Sequence, residues 1–152
     1  METIYLTTII QAPIEICFDL ARDIDAHQLS TSKTQEKVIA GKMSGLCELG
    51  DTITWQAMHF GIRQKLTVKI TQMDKPFSFE DQMQQGIFAS MKHIHHFKTA
   101  DNTTIMIDEF TFAAPLGILG IIAEKLFLKT YMTNFLKVRN ETLKSLAELH
   151  KK

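Results

Sequence analysis

A chain of 152 residues, 45% of them hydrophobic and 22% charged, can bury a sizeable core, which excludes an intrinsically disordered protein. Lysine and arginine total 17, as do aspartate and glutamate, so the formal net charge is zero. Neutrality argues against a nucleic-acid-binding protein and against one held at a membrane surface by basic residues. We therefore predict no nucleic-acid partner.

The first forty residues predict one strand and two short helices. Residues 3–10 are rich in β-branched side chains, which is typical of a strand. Pro13 stands where a helix can begin, and apolar residues at helical spacing predict a helix that ends near Ala21. The polar segment 23–32 predicts a second short helix or a loop, and a weak strand follows over residues 37–40.

From Asp51 onwards the pattern has a period of two for some sixty residues, which is typical of strands with one buried and one wet face. Turn residues such as those at 74–76 separate the strands. The short links predict an antiparallel meander with strands at about residues 52–60, 65–71, 77–83, 87–98 and 103–113.

After Pro115 the period changes to 3.6 and predicts one amphipathic helix of roughly 30 residues. Asn140 is expected on its polar side, and Arg139 interrupts the apolar side as a salt-bridge partner for an inward carboxylate or as a rim residue. The apolar stripe is predicted to comprise Leu128, Tyr131, Met132, Phe135, Val138, Thr142, Leu146 and Leu149. Such a stripe needs a surface to cover, and the sheet offers the largest one.

This order of elements predicts an α+β protein with a single domain over residues 1–152. A curved antiparallel sheet of six or seven strands would wrap around the long C-terminal helix, with two short helices after the first strand. One helix cannot fill a wide curved sheet, so we expect a cavity between them, where ligands commonly bind.

Several segments of the chain carry a resemblance to a known superfamily. They are Ala12-Pro13-Ile14-Glu15-Ile16-Cys17-Phe18-Asp19, Asp25-Ala26-His27, Ser44-Gly45-Leu46, Trp55-Gln56-Ala57-Met58-His59-Phe60-Gly61, His93-Ile94-His95, and Asp108 with Pro115-Leu116-Gly117. Together they resemble START-like (SRPBCC) proteins, also described as Bet v 1-like or polyketide cyclase/dehydrase proteins, and within them a bacterial ligand-binding subgroup. The resemblance implies a helix-grip fold that holds a small hydrophobic or amphipathic molecule, as a carrier or a sensor. This fold hosts many functions, so the ligand stays open.

Strand parity places five polar side chains on faces that should point towards the helix: His59, Asp81, His93, His95 and Asp108. We interpret them either as a polar patch that orients a ligand or as a structural hydrogen-bond network. With the apolar side chains on the same faces, the predicted ligand-binding set is Trp55, His59, Asp81, Met83, Met91, His93, His95, Asp108, Phe110, Phe112, Tyr131 and Phe135.

Two alternatives to simple binding follow from the same residues. A histidine–aspartate pair in a pocket can move protons, so His59, His93, Asp81 and Asp108 are candidate catalytic residues of a cyclase- or dehydratase-like enzyme. The His93-x-His95 pair offers ligands for zinc or iron, but a single such pair is more often structural, so we predict neither a metal site nor a cofactor.

The remaining features concern partners and location. The apolar segment 116–128 could form the mouth of the cavity, dock another protein or be core covered on both sides, and the last is the default expectation. The apolar stretch 115–128 is too short to span a bilayer. Cys17 and Cys47 form no CxxC motif and no disulfide framework, which favours a reducing compartment. The N-terminal residues alternate like a strand rather than forming a signal peptide. We therefore predict a cytoplasmic protein without stable membrane insertion.

Overall fold

The structure is a computed structural model that describes residues 1–59, 61–115 and 117–150. The side chains of residues 118, 124 and 125 are not described either. Phe60 and Leu116, which belong to two of the segments that carry the resemblance, therefore lie outside the described residues. The N-terminal alternation forms β1 (Glu2–Ile10), and the helices that follow are α1 (Ile14–Ala21) and α2 (Ile24–Ser30).

Both short helices begin where local chemistry favours it. Pro13 precedes α1 in an extended conformation, and Glu15 lies in the first turn, where the helix dipole stabilises an anion. The carboxylate of Asp23 accepts hydrogen bonds from the backbone N–H groups of Asp25 and Ala26 and so caps α2. A 3-10 turn over Ser32–Thr34 then leads into the sheet.

The sheet has seven strands, all paired antiparallel, and its order is β1-β7-β6-β5-β4-β3-β2. Strands β3 to β7 form the predicted meander, and β1 closes against β7. The bounds are β2 (Lys37–Gly41), β3 (Thr52–His59), β4 (Ile62–Asp74), β5 (Ser78–Gln85), β6 (Ser90–Ala100) and β7 (Thr103–Ala113).

The predicted long helix is confirmed, with one irregularity. Helical structure runs through α3 (Gly117–Ala123), a π-helical segment (Glu124–Leu128) and α4 (Lys129–Leu149). Helix α4 contacts β1, α1 and α2. The helix-grip architecture predicted from the sequence is therefore present. Among the described residues, no helix is long and apolar enough to cross a membrane.

The buried face of α4 differs from the predicted stripe. Val138 is 41% exposed and Leu149 is 75% exposed, whereas Asn140, expected on the polar side, is buried. The buried face consists of Met132, Leu136, Arg139, Asn140, Leu143 and Ala147. Helix α4 is rotated about its axis relative to the orientation that hydropathy predicts. Arg139 and Asn140 face the sheet because both interact with a buried carboxylate there, which is described below.

A glycine at the end of β2 is required for strand pairing. Gly41 has a φ of +78°, and a methyl group on its Cα would lie 2.1 Å from the carbonyl oxygen of Thr52. Gly50 has a similar φ of +88°, but a methyl group there would contact nothing within 4 Å. An alanine at Gly50 would therefore suffer backbone strain alone, whereas an alanine at Gly41 would suffer both backbone strain and a steric clash.

We expect Gly50→Ala to lower the free energy of unfolding by about 1–2 kcal/mol, from left-handed backbone strain alone. Gly41→Ala should cost about 1–3 kcal/mol more, because the added methyl group also forces β2 from β3. Urea unfolding of both variants checks this, and equal losses would contradict the clash.

Candidate functional site

A cavity of about 400 Å³ lies between the inner face of the sheet and the helices. Most of its wall is apolar or aromatic. Of the twelve predicted site residues, nine line it: Trp55, His59, Asp81, Met91, His93, His95, Phe110, Tyr131 and Phe135.

The other three predicted residues lie outside the cavity wall. Asp108 is completely buried behind His93 and acts on the cavity only through its partners. Phe112 is also fully buried and packs against Phe88 and Phe110. Met83 is half-buried against the edge of the core. Strand parity predicts that all three side chains point to the inner face of the sheet. It does not distinguish side chains that line the cavity from side chains packed behind them.

One end of the cavity is aromatic. His27, from α2, lies against the ring of Trp55 with centroids 4.2 Å apart, and its Nε2 lies 2.8 Å from a carboxylate oxygen of Glu36. On α4, the Tyr131 hydroxyl is hydrogen-bonded to Nδ1 of His59, and Phe135 meets the His59 ring edge-on. Burial lowers the pKa of His59, which favours a neutral ring at neutral pH.

The other end is a polar cluster on the neighbouring strands β5, β6 and β7. In the register of the sheet, Asp81 pairs with His93, and His95 pairs with Asp108. Nε2 of His93 lies 2.7 Å from Oδ1 of Asp108, and Nε2 of His95 lies 2.9 Å from Oδ2 of Asp81. The two imidazole rings are stacked with centroids 3.8 Å apart.

Helix α4 completes this polar cluster. Nδ2 of Asn140 donates to Oδ2 of Asp108 over 2.7 Å. Nη1 of Arg139 lies 3.5 Å from Oδ1 of Asp108 and 3.3 Å from Oδ1 of Asn140. Of the two roles that the sequence leaves open for Arg139, the structure supports the salt-bridge partner of an inward carboxylate and not the rim residue.

The electrostatics follow from burial and pairing. Burial alone would raise the pKa of Asp108, but the hydrogen bond from His93, the nearby His95 ring and the charge of Arg139 hold it well below its ordinary value. Burial would likewise raise the pKa of Asp81, but His95 lowers it overall. Burial and the neighbouring His95 lower the pKa of His93 to about 4. Both carboxylates are thus charged at neutral pH, and His93 is neutral.

Sequence reasoning misses or leaves undecided three contributors to this site. It places Asn140 on the wet side of the helix and leaves two roles open for Arg139. His27, which enters the sequence analysis only within a segment that carries the resemblance, lines the cavity beside Trp55. The signal that could have found the helix residues is the inward parity of Asp108, because a buried carboxylate needs hydrogen-bond donors or an opposite charge, and Arg139 interrupts the apolar side of the helix.

No protein-family model matches this sequence, and no curated protein matches it. Solved structures of similar shape exist. The protein TTHA0849 from Thermus thermophilus is 18% identical with a TM-score of 0.74, covering 96% of this chain and 99% of that one. A START superfamily protein from Mycobacterium smegmatis is 14% identical with a TM-score of 0.71, covering 97% of each chain. Ginseng major latex-like protein 151 from Panax ginseng is 14% identical with a TM-score of 0.69, covering 96% and 97%.

The fold is that of START-like and Bet v 1-like proteins, as the sequence resemblance predicts. At identities of 14–18% this likeness establishes the fold alone. The bacterial ligand-binding subgroup stays a prediction.

The low pKa of His93 makes stability depend on pH in a defined window. In the unfolded chain this histidine binds a proton below about pH 6.5, whereas in the folded protein it does so only below about pH 4. Stability should therefore fall as the pH drops from 6.5 to 4, by on the order of 3 kcal/mol from this group. The contribution of Asp108 is lost only at lower pH, because its folded pKa lies below the ordinary 3.8.

We expect His93→Gln to flatten the pH dependence of urea unfolding between pH 6.5 and 4, leaving the smaller slope due to His59. His96→Gln is the matched control, because His96 lies on the same strand with its side chain 42% exposed. A His93→Gln variant that loses stability as steeply as the unsubstituted protein would contradict the assignment.

Proposed function

We propose that this protein binds one small, mostly apolar molecule in the cavity, with the polar end of the molecule at the His–Asp cluster. The observation that carries the proposal is a cavity of about 400 Å³ with a largely apolar and aromatic wall and paired histidines and carboxylates at one end. Ligand pockets commonly have volumes of about 300–1,000 Å³, apolar walls and a few fixed polar groups. A carrier or sensor of an amphipathic or lipid-like molecule matches these features.

The two ends of the cavity have different roles in this proposal. The apolar body of the ligand would lie against Trp55, Tyr131 and Phe135, and burying about 300 Å² of its surface would contribute about 7 kcal/mol before the costs of association. The polar end would meet His93, His95 and Asp81, which are fixed by hydrogen bonds to one another and to Asp108. Apolar burial would supply most of the affinity, and the polar cluster would set orientation.

The catalytic alternative has less support. A general base works best when its pKa is near the working pH, and the pKa of His93 is about 4. Burial raises the pKa of the Cys47 thiol to about 12 and also raises that of Cys17, so neither is an activated nucleophile. Ligand binding without catalysis needs only the cavity and its fixed polar groups, and no side chain activated for proton transfer or nucleophilic attack.

We assign the exposed apolar segment near the start of the C-terminal helix to ligand entrance rather than to a separate protein partner. The default expectation of core covered on both sides is wrong, because several of its side chains are exposed. Leu119 and Leu126 are each 71% exposed, while Phe127 and Leu128, next in the chain, line the cavity. An apolar surface that leads into an apolar cavity would collect apolar molecules. Both cysteines are free and buried, in keeping with our further proposal of a reducing, cytoplasmic setting.

The entrance assignment predicts a kinetic effect. Leu126→Ser should slow the association and dissociation of an apolar dye several-fold while leaving the dissociation constant nearly unchanged, because Leu126 does not line the cavity. Stopped-flow fluorescence measures both rates. Unaltered rates would contradict the entrance assignment and favour a protein-docking role for this segment.

The binding proposal is tested with N-phenyl-1-naphthylamine, a neutral apolar dye whose fluorescence rises in an apolar site. Phe135→Ala should weaken binding by at least about 2- to 10-fold, since it removes an aromatic contact that contributes about 0.5–1.5 kcal/mol in addition to the buried area of the ring. Trp55→Ala should act in the same direction. Fluorescence titration gives the dissociation constants.

The matched control for this titration is Phe77→Ala. Phe77 is 55% exposed and is not part of the cavity wall, so its removal should leave dye binding unchanged. Undiminished binding in Phe135→Ala and Trp55→Ala, with folded structure verified by circular dichroism, would reject the cavity as the binding site.

A further inference from the structure

The polar cluster contains three side chains with the composition of a metal site. Asp81, His93 and His95 each offer one ligand atom, and these atoms lie within 4.8 Å of one another. The sheet produces this arrangement, because His93 and His95 alternate onto one face of β6 and Asp81 is the cross-strand neighbour of His93 on β5. We propose that Asp81, His93 and His95 bind a divalent transition-metal ion of the zinc class, with its remaining coordination positions open to the cavity.

A buried nitrogen atom without a partner supports this proposal. His95 is 2% exposed, and within the described part of the chain its Nδ1 has no hydrogen-bond partner. When the ring is neutral and its proton lies on Nε2, towards Asp81, the Nδ1 lone pair is 3.5 Å from the carboxylate oxygen Oδ1 of Asp108. A lone pair that faces a buried carboxylate is unfavourable.

A metal ion at Nε2 of His95 removes this conflict. The proton that Nε2 shares with Oδ2 of Asp81 would move to Nδ1, from which it can be donated towards Asp108. The ring stays neutral, and no proton is gained or lost. The 2.9 Å between Nε2 and Oδ2 is close to the spacing of two ligands on one ion, so a small opening of this pair admits the metal.

Asp108 is placed to orient both ligating rings. Its Oδ1 holds Nε2 of His93 at 2.7 Å, which leaves Nδ1 as the remaining ring nitrogen of His93. Asn140 fixes the other oxygen of Asp108 at 2.7 Å. Histidine ligands of metals usually donate their second N–H to a carboxylate, which fixes the tautomer and strengthens the ligand.

The local charge and the open positions favour a cation. The carboxylates of Asp81 and Asp108 outnumber the single guanidinium group that this cluster contains, which belongs to Arg139. Two histidines and one carboxylate suit zinc-like ions, and a three-ligand set leaves positions for water or a ligand atom. Asp81, His93 and His95 all line the cavity, so a bound ion would meet the polar end of the ligand.

The test uses Co²⁺ as a coloured substitute for Zn²⁺ on the chelator-treated protein. We expect visible d–d absorption that saturates at one equivalent and disappears when Zn²⁺ is added. Asp81→Asn, which keeps the shape of the side chain, and His93→Ala should each weaken Co²⁺ binding by about 10- to 100-fold or more. His96→Ala is the control, because His96 faces the opposite side of β6 and should leave the titration unchanged.

Three results would overturn the proposal: no saturable absorption, equal binding in Asp81→Asn, or loss of binding in His96→Ala, which would place the ion on the surface. Circular dichroism establishes that each variant is folded, and Asp81→Asn remains informative if His93→Ala does not fold. Dye binding measured with chelator present reports the apolar cavity separately. Failure of the metal site and failure of the ligand proposal are thereby distinguishable.

Discussion

The carboxylate of Asp108 has no exposure to solvent, and a buried charge is tolerated only when protein groups replace the lost water. His93 provides one hydrogen bond from the sheet, Asn140 provides another from the helix, and Arg139 provides the opposite charge. This carboxylate therefore ties β7 to β6 and to α4. It also sets the rotation of α4, because Arg139 and Asn140 can reach Asp108 only if that face of the helix turns inward.

The rotation of α4 in turn organises the cavity. Tyr131, Phe135 and Arg139 follow one another at intervals of four residues and share one face, so they form a line along the cavity wall. The line passes from the aromatic end, where Tyr131 bonds His59, to the polar end, where Arg139 meets Asp108. A curved sheet closed by one helix leaves space, and this single helical face gives that space two chemically distinct ends.

Local patterns predicted the strands and the inward side chains well, because alternation on a half-buried sheet reports directly which face is buried. His93, His95 and Asp108 were placed correctly on this basis. The buried face of α4 was predicted less well, because hydropathy places arginine and asparagine on the solvent-exposed side of a helix. It takes no account of a buried carboxylate on a strand that is distant in the sequence. Asn140 lies 32 residues from Asp108, and Val138 is exposed as a consequence of their contact. The wall of the cavity and the layer behind it also share the same parity, so Phe112 and Met83 could not be separated from true lining residues.

Native mass spectrometry detects a ligand inside the cavity as an added mass on the intact chain. The purified protein would be measured before and after incubation with a panel of small amphipathic molecules, beside Val68→Phe, which adds bulk to a side chain that lines the cavity. We predict one added mass of a few hundred daltons per chain that leaves on denaturation and is absent from folded Val68→Phe. A bare mass under every condition, or the same added mass in both proteins, would contradict the account.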